Sequence, residues 1–190
     1  AAETDLAALV DVAIRDSASG AAPFVYGHSS GAILALEAAA SGVPMERLAV
    51  YEPPYTGSDG AANDAFIAKI RALLAEGDRD GAAAEFMLMT GAPPAVVDGF
   101  RSSDWWPGMV TLAHTLPYDL SLSRGGSIPA DRLSSITIPV LALGGGDSPE
   151  WGRTVAESLA EVIPSASYRI LDGQNHGVAD EVLAGVLDVF

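Results

Sequence analysis

Cysteine is absent from all 190 residues of the chain. Its absence excludes disulfides, a thiol nucleophile and thiolate metal sites, and it is compatible with a reducing compartment. Histidine is scarce: His28, His114 and His176 make up the whole complement, and none has the HExxH-type spacing of a zinc site. Basic residues are few as well, ten against 25 acidic ones, for a formal net charge of −15. A field of that sign argues against nucleic acid or an anionic membrane as partner. No apolar run approaches the roughly 20 residues of a membrane span. No basic region followed by an apolar core opens the chain, so no signal peptide is expected. These absences describe a soluble, cytoplasmic protein with no implied metal or cofactor.

Apolar residues are plentiful, at 49% of the chain, enough for one domain with a sizeable core or a core plus an insertion. Around Ser29 they are ordered in a particular way. The short apolar run Pro23-Phe24-Val25-Tyr26 meets Gly27-His28-Ser29-Ser30-Gly31, and the helix-forming run Ala32-Ile33-Leu34-Ala35-Leu36-Glu37 leaves it. A Gly-x-Ser-x-Gly turn between a strand and a helix has the context of a nucleophile elbow. The close approach of strand and helix favours glycine at both ends, Gly27 and Gly31, and holds the apical serine in a strained conformation with its hydroxyl exposed. The competing reading is a plain strand-to-helix loop.

Taken in order, the chain begins with a helical stripe over Glu3–Asp16, with Leu6, Leu9, Val10, Ala13 and Ile14 on one face. The helix after Ser29 stops at Ser41-Gly42, and Arg47–Tyr51 reads as a second strand ended by Glu52-Pro53-Pro54. Strand, helix, strand points to parallel pairing with right-handed crossovers. From Tyr55 to about Ser135 the strand signal disappears. Helices are expected over Ala61–Glu76, Arg79–Thr90, Pro93–Phe100, Trp105–His114 and Tyr118–Leu122, punctuated by proline and glycine. The α/β pattern returns with a strand at Val140–Leu143, a helix at Glu150–Ile163, a strand at Tyr168–Leu171 and a helix at Ala179–Phe190. The organisation expected is an α/β core from residues 1–54 and 136–190, with about four strands, and a helical cap over 55–135.

In open parallel sheets functional groups gather beyond the C-terminal strand ends. Ser29 follows the first strand, Asp147 the third and His176 the fourth. A serine hydroxyl needs a neighbouring base, imidazole suits that role near neutral pH, and a carboxylate fixes the imidazole tautomer. Each residue has a second reading. Asp147 could cap the following helix, His176 could be a turn residue, and Glu52, after the second strand, rivals Asp147 as the acid. His28 is read as packing on the far side of the elbow, and His114 as structural or pocket-lining. Phe86, Met87, Met89, Trp105 and Trp106 fit an acyl-binding wall or the packing of the helical segment equally well.

Three stretches, Gly27-His28-Ser29-Ser30-Gly31, Ile138-Pro139-Val140-Leu141-Ala142-Leu143-Gly144-Gly145-Gly146-Asp147 and Gly173-Gln174-Asn175-His176-Gly177, together resemble the α/β-hydrolase superfamily. The resemblance is nearest to small bacterial esterase-like and non-haem haloperoxidase-like members, and it covers the chain from its first helix to its end. It implies a Ser29, Asp147, His176 triad in the family's chain order, with the backbone N–H of Ser30 as an oxyanion donor. It implies hydrolysis of a carboxylic ester or similar acyl compound through an acyl-serine. Perhydrolysis with the same triad, or a non-catalytic binding module, are the alternatives. The four strands match what would be the fifth to eighth of the family. The neighbour of Pro23–Tyr26 and the loop for a second oxyanion donor are therefore missing, and no HGGG-like segment precedes Ser29. A longer enzyme, a complementing N-terminal segment or chain, or a degenerate edge would each account for this; a homo-oligomer is the other partner expected.

Overall fold

The computed structural model describes residues 2–57, 60–123 and 126–190. Four strands, β1 (Phe24–His28), β2 (Arg47–Tyr51), β3 (Val140–Gly145) and β4 (Ala166–Leu171), form one parallel sheet in the order β1-β2-β3-β4. This is the α/β, parallel-sheet class that the sequence implies. The register sets His28 beside Tyr51 and Tyr51 beside Leu143, so the C-terminal ends of the first three strands are level. Loops leaving those ends share one edge of the sheet.

The strand sequences explain the layering. β2 and β3 read Arg-Leu-Ala-Val-Tyr and Val-Leu-Ala-Leu-Gly-Gly, with no polar alternation, as expected where both faces of a parallel sheet are covered. Ala49, Tyr51, Leu141 and Leu143 share one face and form a core cluster with Leu171 and with Val186 of helix α10 (Asp180–Leu187). The alternate residues Leu48, Val50, Val140 and Ala142 are also fully buried. Helix α2 (Ser30–Ala40) packs against β1 and β2, and helix α9 (Glu150–Val162) against β3 and β4.

β1 departs from the buried strand expected. Among the described residues it pairs on one side only, and Phe24 is 62% exposed. The Arg47 guanidinium lies over the Phe24 ring, 5.2 Å from its centroid, and partly covers that apolar edge. The first helix, α1 (Ala2–Asp16), is similarly less buried than its stripe implies: it packs against α2 through Val10, while Leu9 is 67% exposed.

The chain divides into two compact units, Ala1–Gly57 with Gly126–Phe190, and Ser58–Gly125. The stretch 126–135, read from sequence as part of the cap, belongs to the first unit. Its short helix α8 (Ala130–Leu133) explains why: Leu133 is fully buried, and Arg132 pairs with the buried Glu37 of α2. The second unit contains α3 (Gly60–Ala75), α4 (Arg79–Met89), α5 (Pro94–Arg101), α6 (Trp106–Leu112) and α7 (Leu116–Leu122) around its own apolar core. Trp106 is buried in that core with Phe86 and Met87 packed against it, so these three serve helix packing; Trp105 is 78% exposed. The Trp106 indole N–H donates to Asp80 at 2.6 Å, which satisfies the one polar atom of a buried ring. His114 is exposed and bonds the carbonyl of Thr111 within its own turn.

Candidate active site

The turn from β1 into α2 is built around two local constraints. A Cβ at Gly27 would lie 2.7 Å from both the Cα of Ala32 and the carbonyl oxygen of Gly31, backbone atoms that cannot give way. Ser29 then takes the conformation φ 55°, ψ −125°, which a side-chain-bearing residue adopts only under constraint. That constraint includes its own N–H, which donates to the Tyr51 carbonyl at 2.9 Å and extends the sheet ladder beyond β1. The Ser29 side chain does not cap α2, so its hydroxyl is not committed to the helix. Gly31 does not match the sequence reading, because a Cβ there would meet open space. Ser30 is the first residue of α2, at the positive end of the helix dipole.

His176 lies in the loop after β4, and the carboxylate that meets it is Glu52. The two are joined at 2.6 Å, His176 Nδ1 to Glu52 Oε2. A carboxylate only accepts, so Nδ1 carries a proton toward Glu52, and in the neutral form of the ring the lone pair falls on Nε2. Glu52 is fully buried just past the end of β2, in the left-handed region with φ 43°. Its second oxygen accepts the N–H of Gly145 at 2.7 Å. Burial pushes the Glu52 carboxyl up, but the His176 hydrogen bond, the nearby Ser148 hydroxyl, the Gly145 N–H and the charge of His176 together outweigh it and leave it below the ordinary range. The Ser148 hydroxyl is buried without a well-aligned partner, and its dipole beside the carboxylate acts in that same direction.

The expectation of Asp147 as the partner of His176 is therefore corrected. Asp147 is exposed, and it is its backbone N–H that is engaged, donating to the Gln174 carbonyl at 2.8 Å. Nor does Asp147 cap the next helix, because the N-cap of α9 is Pro149 and no side chain bonds there. The turn after β3 carries Asp147 outward at the sheet edge, while the end of β2 directs Glu52 inward beneath the His176 loop.

That loop runs back from β4 across the ends of the other three strands. The carbonyls of Gln174, Asn175 and His176 each accept one hydrogen bond, from the Asp147 N–H after β3, the Tyr51 hydroxyl of β2 at 2.6 Å, and His28 Nε2 of β1 at 2.8 Å. Its close descent onto the sheet requires glycine at 145, where a Cβ would lie 2.4 Å from the Gln174 oxygen. The His176 ring sits between Trp151 of α9, at 5.9 Å between centroids, and His28, at 5.0 Å in an edge-on arrangement.

His28 is thus not packing on the far side of the elbow; it touches both the ring and the backbone of His176. The partial covering of the ring, then the charge of His176, lower the His28 pKa, against the opposing effects of its hydrogen bond and of Glu52. Burial and then the Glu52 charge push Tyr26 up to about 12, and the same causes, in the same order, raise Tyr51. Glu52 was legible as an acidic residue closing an apolar strand. The roles of Tyr51, His28 and Gly145 were not, because each depends on a contact more than 20 residues away in sequence. Among the described residues no cluster of three or more metal-ligating side chains occurs, and no helix is long and apolar enough to cross a membrane.

Residues 1–189 match the family model described as "Alpha/beta hydrolase family". The crystal structure of an alpha/beta hydrolase from Sphaerobacter thermophilus is similar over 97% of this chain and 71% of that one, with 46% sequence identity and a TM-score of 0.84. An esterase from Exiguobacterium antarcticum aligns over 98% of this chain and 71% of its own, at 15% identity and a TM-score of 0.66. A thermostable carboxyl esterase from Bacillus coagulans aligns over 98% and 68%, at 19% identity and a TM-score of 0.57. These last two likenesses concern the fold alone. No curated protein sequence matches the chain.

Proposed function

Since the chain belongs to the α/β-hydrolase family, we propose that it hydrolyses a carboxylic ester or related acyl compound through an acyl-serine, with Ser29 as nucleophile, His176 as base and Glu52 as acid. The observation that carries this reading is the 2.6 Å pairing of His176 Nδ1 with a fully buried Glu52, the His176 loop being pinned to the strand that leads into the strained Ser29.

The chemistry follows from the proton positions. With Nδ1–H held by Glu52, the Nε2 lone pair of His176 takes the Ser29 proton as Oγ attacks the acyl carbon. The buried carboxylate stabilises the imidazolium that forms. The oxyanion of the tetrahedral intermediate is received by the Ser30 N–H at the start of α2, where the helix favours negative charge. Collapse expels the alcohol, protonated by His176 Nε2–H, and water repeats the cycle on the acyl-serine. A small acyl compound is the substrate class, and neither metal nor cofactor takes part in these steps.

A fluorophosphonate probe tests the assignment directly. The chain should be labelled at Ser29, and the Ser29→Ala variant should not react. Labelling that persists in Ser29→Ala excludes Ser29 as the nucleophile. A chain inert to the probe favours a binding module, a reading whose support is the open edge of β1.

A further inference from the structure

Of the three hydrogen bonds that carbonyls of the His176 loop accept from the other strand ends, the one from His28 stands apart, because it reaches the His176 backbone and comes from the residue next to Ser29. We propose that His28 is a positioning residue: its Nε2–H, donated to the His176 carbonyl, sets the base against the strand that carries the nucleophile. The inference rests on the serine-hydrolase reading above for its catalytic consequence, though not for the contact itself.

The chemistry of the contact decides the state of His28. A carbonyl cannot donate, so Nε2 must carry the hydrogen across the 2.8 Å separation. His176 must instead carry its hydrogen on Nδ1, facing Glu52. Two imidazoles whose centroids are 5.0 Å apart therefore hold opposite tautomers. His176 belongs to an irregular loop, so its backbone is placed by whatever bonds the loop makes. The ladder bond between Ser29 and Tyr51 fixes the nucleophile's backbone in the same sheet edge, and His28 closes the remaining link between nucleophile and base. A shift of about 1 Å between reacting groups can cost on the order of a hundredfold in rate, so one such bond is enough to matter.

Two variants separate positioning from bulk. His28→Leu keeps an apolar side chain of similar reach and removes the donor, whereas His28→Gln restores an amide N–H. His28 is exposed at an edge strand, so both should fold, which thermal melts check. With a fluorophosphonate as probe, His28→Leu should lower the maximal inactivation rate at least about tenfold with little change in half-saturation. His28→Gln should recover most of that loss. Nitrogen-15 ring shifts of the unaltered chain should show His28 as the Nε2–H tautomer and His176 as Nδ1–H at neutral pH.

An Nδ1–H tautomer at His28, or His28→Leu reacting as fast as the unaltered chain, overturns the proposal. If the unaltered chain ignores the probe, the serine-hydrolase reading fails. The contact is then judged on the His176 Nδ1–H resonance: sharp in His28→Gln and lost in His28→Leu supports positioning, and equal in both rejects it.

Discussion

Glu52 and His176 stand 124 residues apart in sequence and 2.6 Å apart in space, and the carboxylate is the fully buried partner. Glu52 N–H is itself held by the Leu143 carbonyl of the neighbouring strand, so the acid rests on the sheet and the histidine on a loop that descends to meet it. Four tests follow from this arrangement.

Glu52→Gln and Asp147→Asn should behave very differently. The first keeps shape but loses the charge that stabilises the imidazolium, and should lower kcat for p-nitrophenyl acetate by about 10²–10⁴-fold. The second alters an exposed carboxylate and should leave kcat within about twofold. Equal losses in both would refute Glu52 as the triad acid.

Tyr51→Phe removes a hydroxyl and almost no volume. Tyr51 is fully buried and donates to the Asn175 carbonyl at 2.6 Å, so the variant leaves that acceptor unpaired. A loss of about 1–3 kcal/mol in urea unfolding is expected. Activity should fall with it, because the same bond holds the His176 loop.

Two glycines of the elbow should part company. Gly27→Ala forces a Cβ to within 2.7 Å of backbone atoms and should cost about 1–3 kcal/mol, read as a drop in Tm. Gly31→Ala meets open space inside helix α2 and should be neutral or stabilising by up to about 1 kcal/mol. A destabilising Gly31→Ala would overturn the reading of open space at that position.

Acidification should weaken the fold through Glu52. Its folded pKa lies below the ordinary 4.5, so the folded state binds fewer protons than the unfolded chain as pH falls. The stability it contributes is complete above about pH 4.5 and is lost as pH drops through the folded pKa. Urea midpoints measured between pH 7 and 3 should fall steeply in the unaltered chain and less steeply in Glu52→Gln.

How far the sequence reached can be judged on particular residues. The strand, turn and helix around Ser29, the apolar runs of β2 and β3, and the five helices of the second unit were legible because hydrophobic period, glycine and proline act within a few residues of one another. The stretch 126–135, expected in the cap, groups with the first unit, where Leu133 is buried and Arg132 pairs with Glu37, long-range contacts with no local signature.

By itself the sequence determined the class of the fold and the chemical cast: a serine at a strand-to-helix turn, a histidine after a later strand, and two carboxylates at strand ends. Only the tertiary structure shows that Glu52, and not Asp147, is the carboxylate that meets His176, and the two differ in burial. The end of β2 turns Glu52 into the left-handed region and under a loop that can descend because residue 145 lacks a Cβ. Asp147, one strand further along, leaves the sheet facing water. Equivalent positions in the chain pattern were separated by which side chain the neighbouring backbone left room to bury.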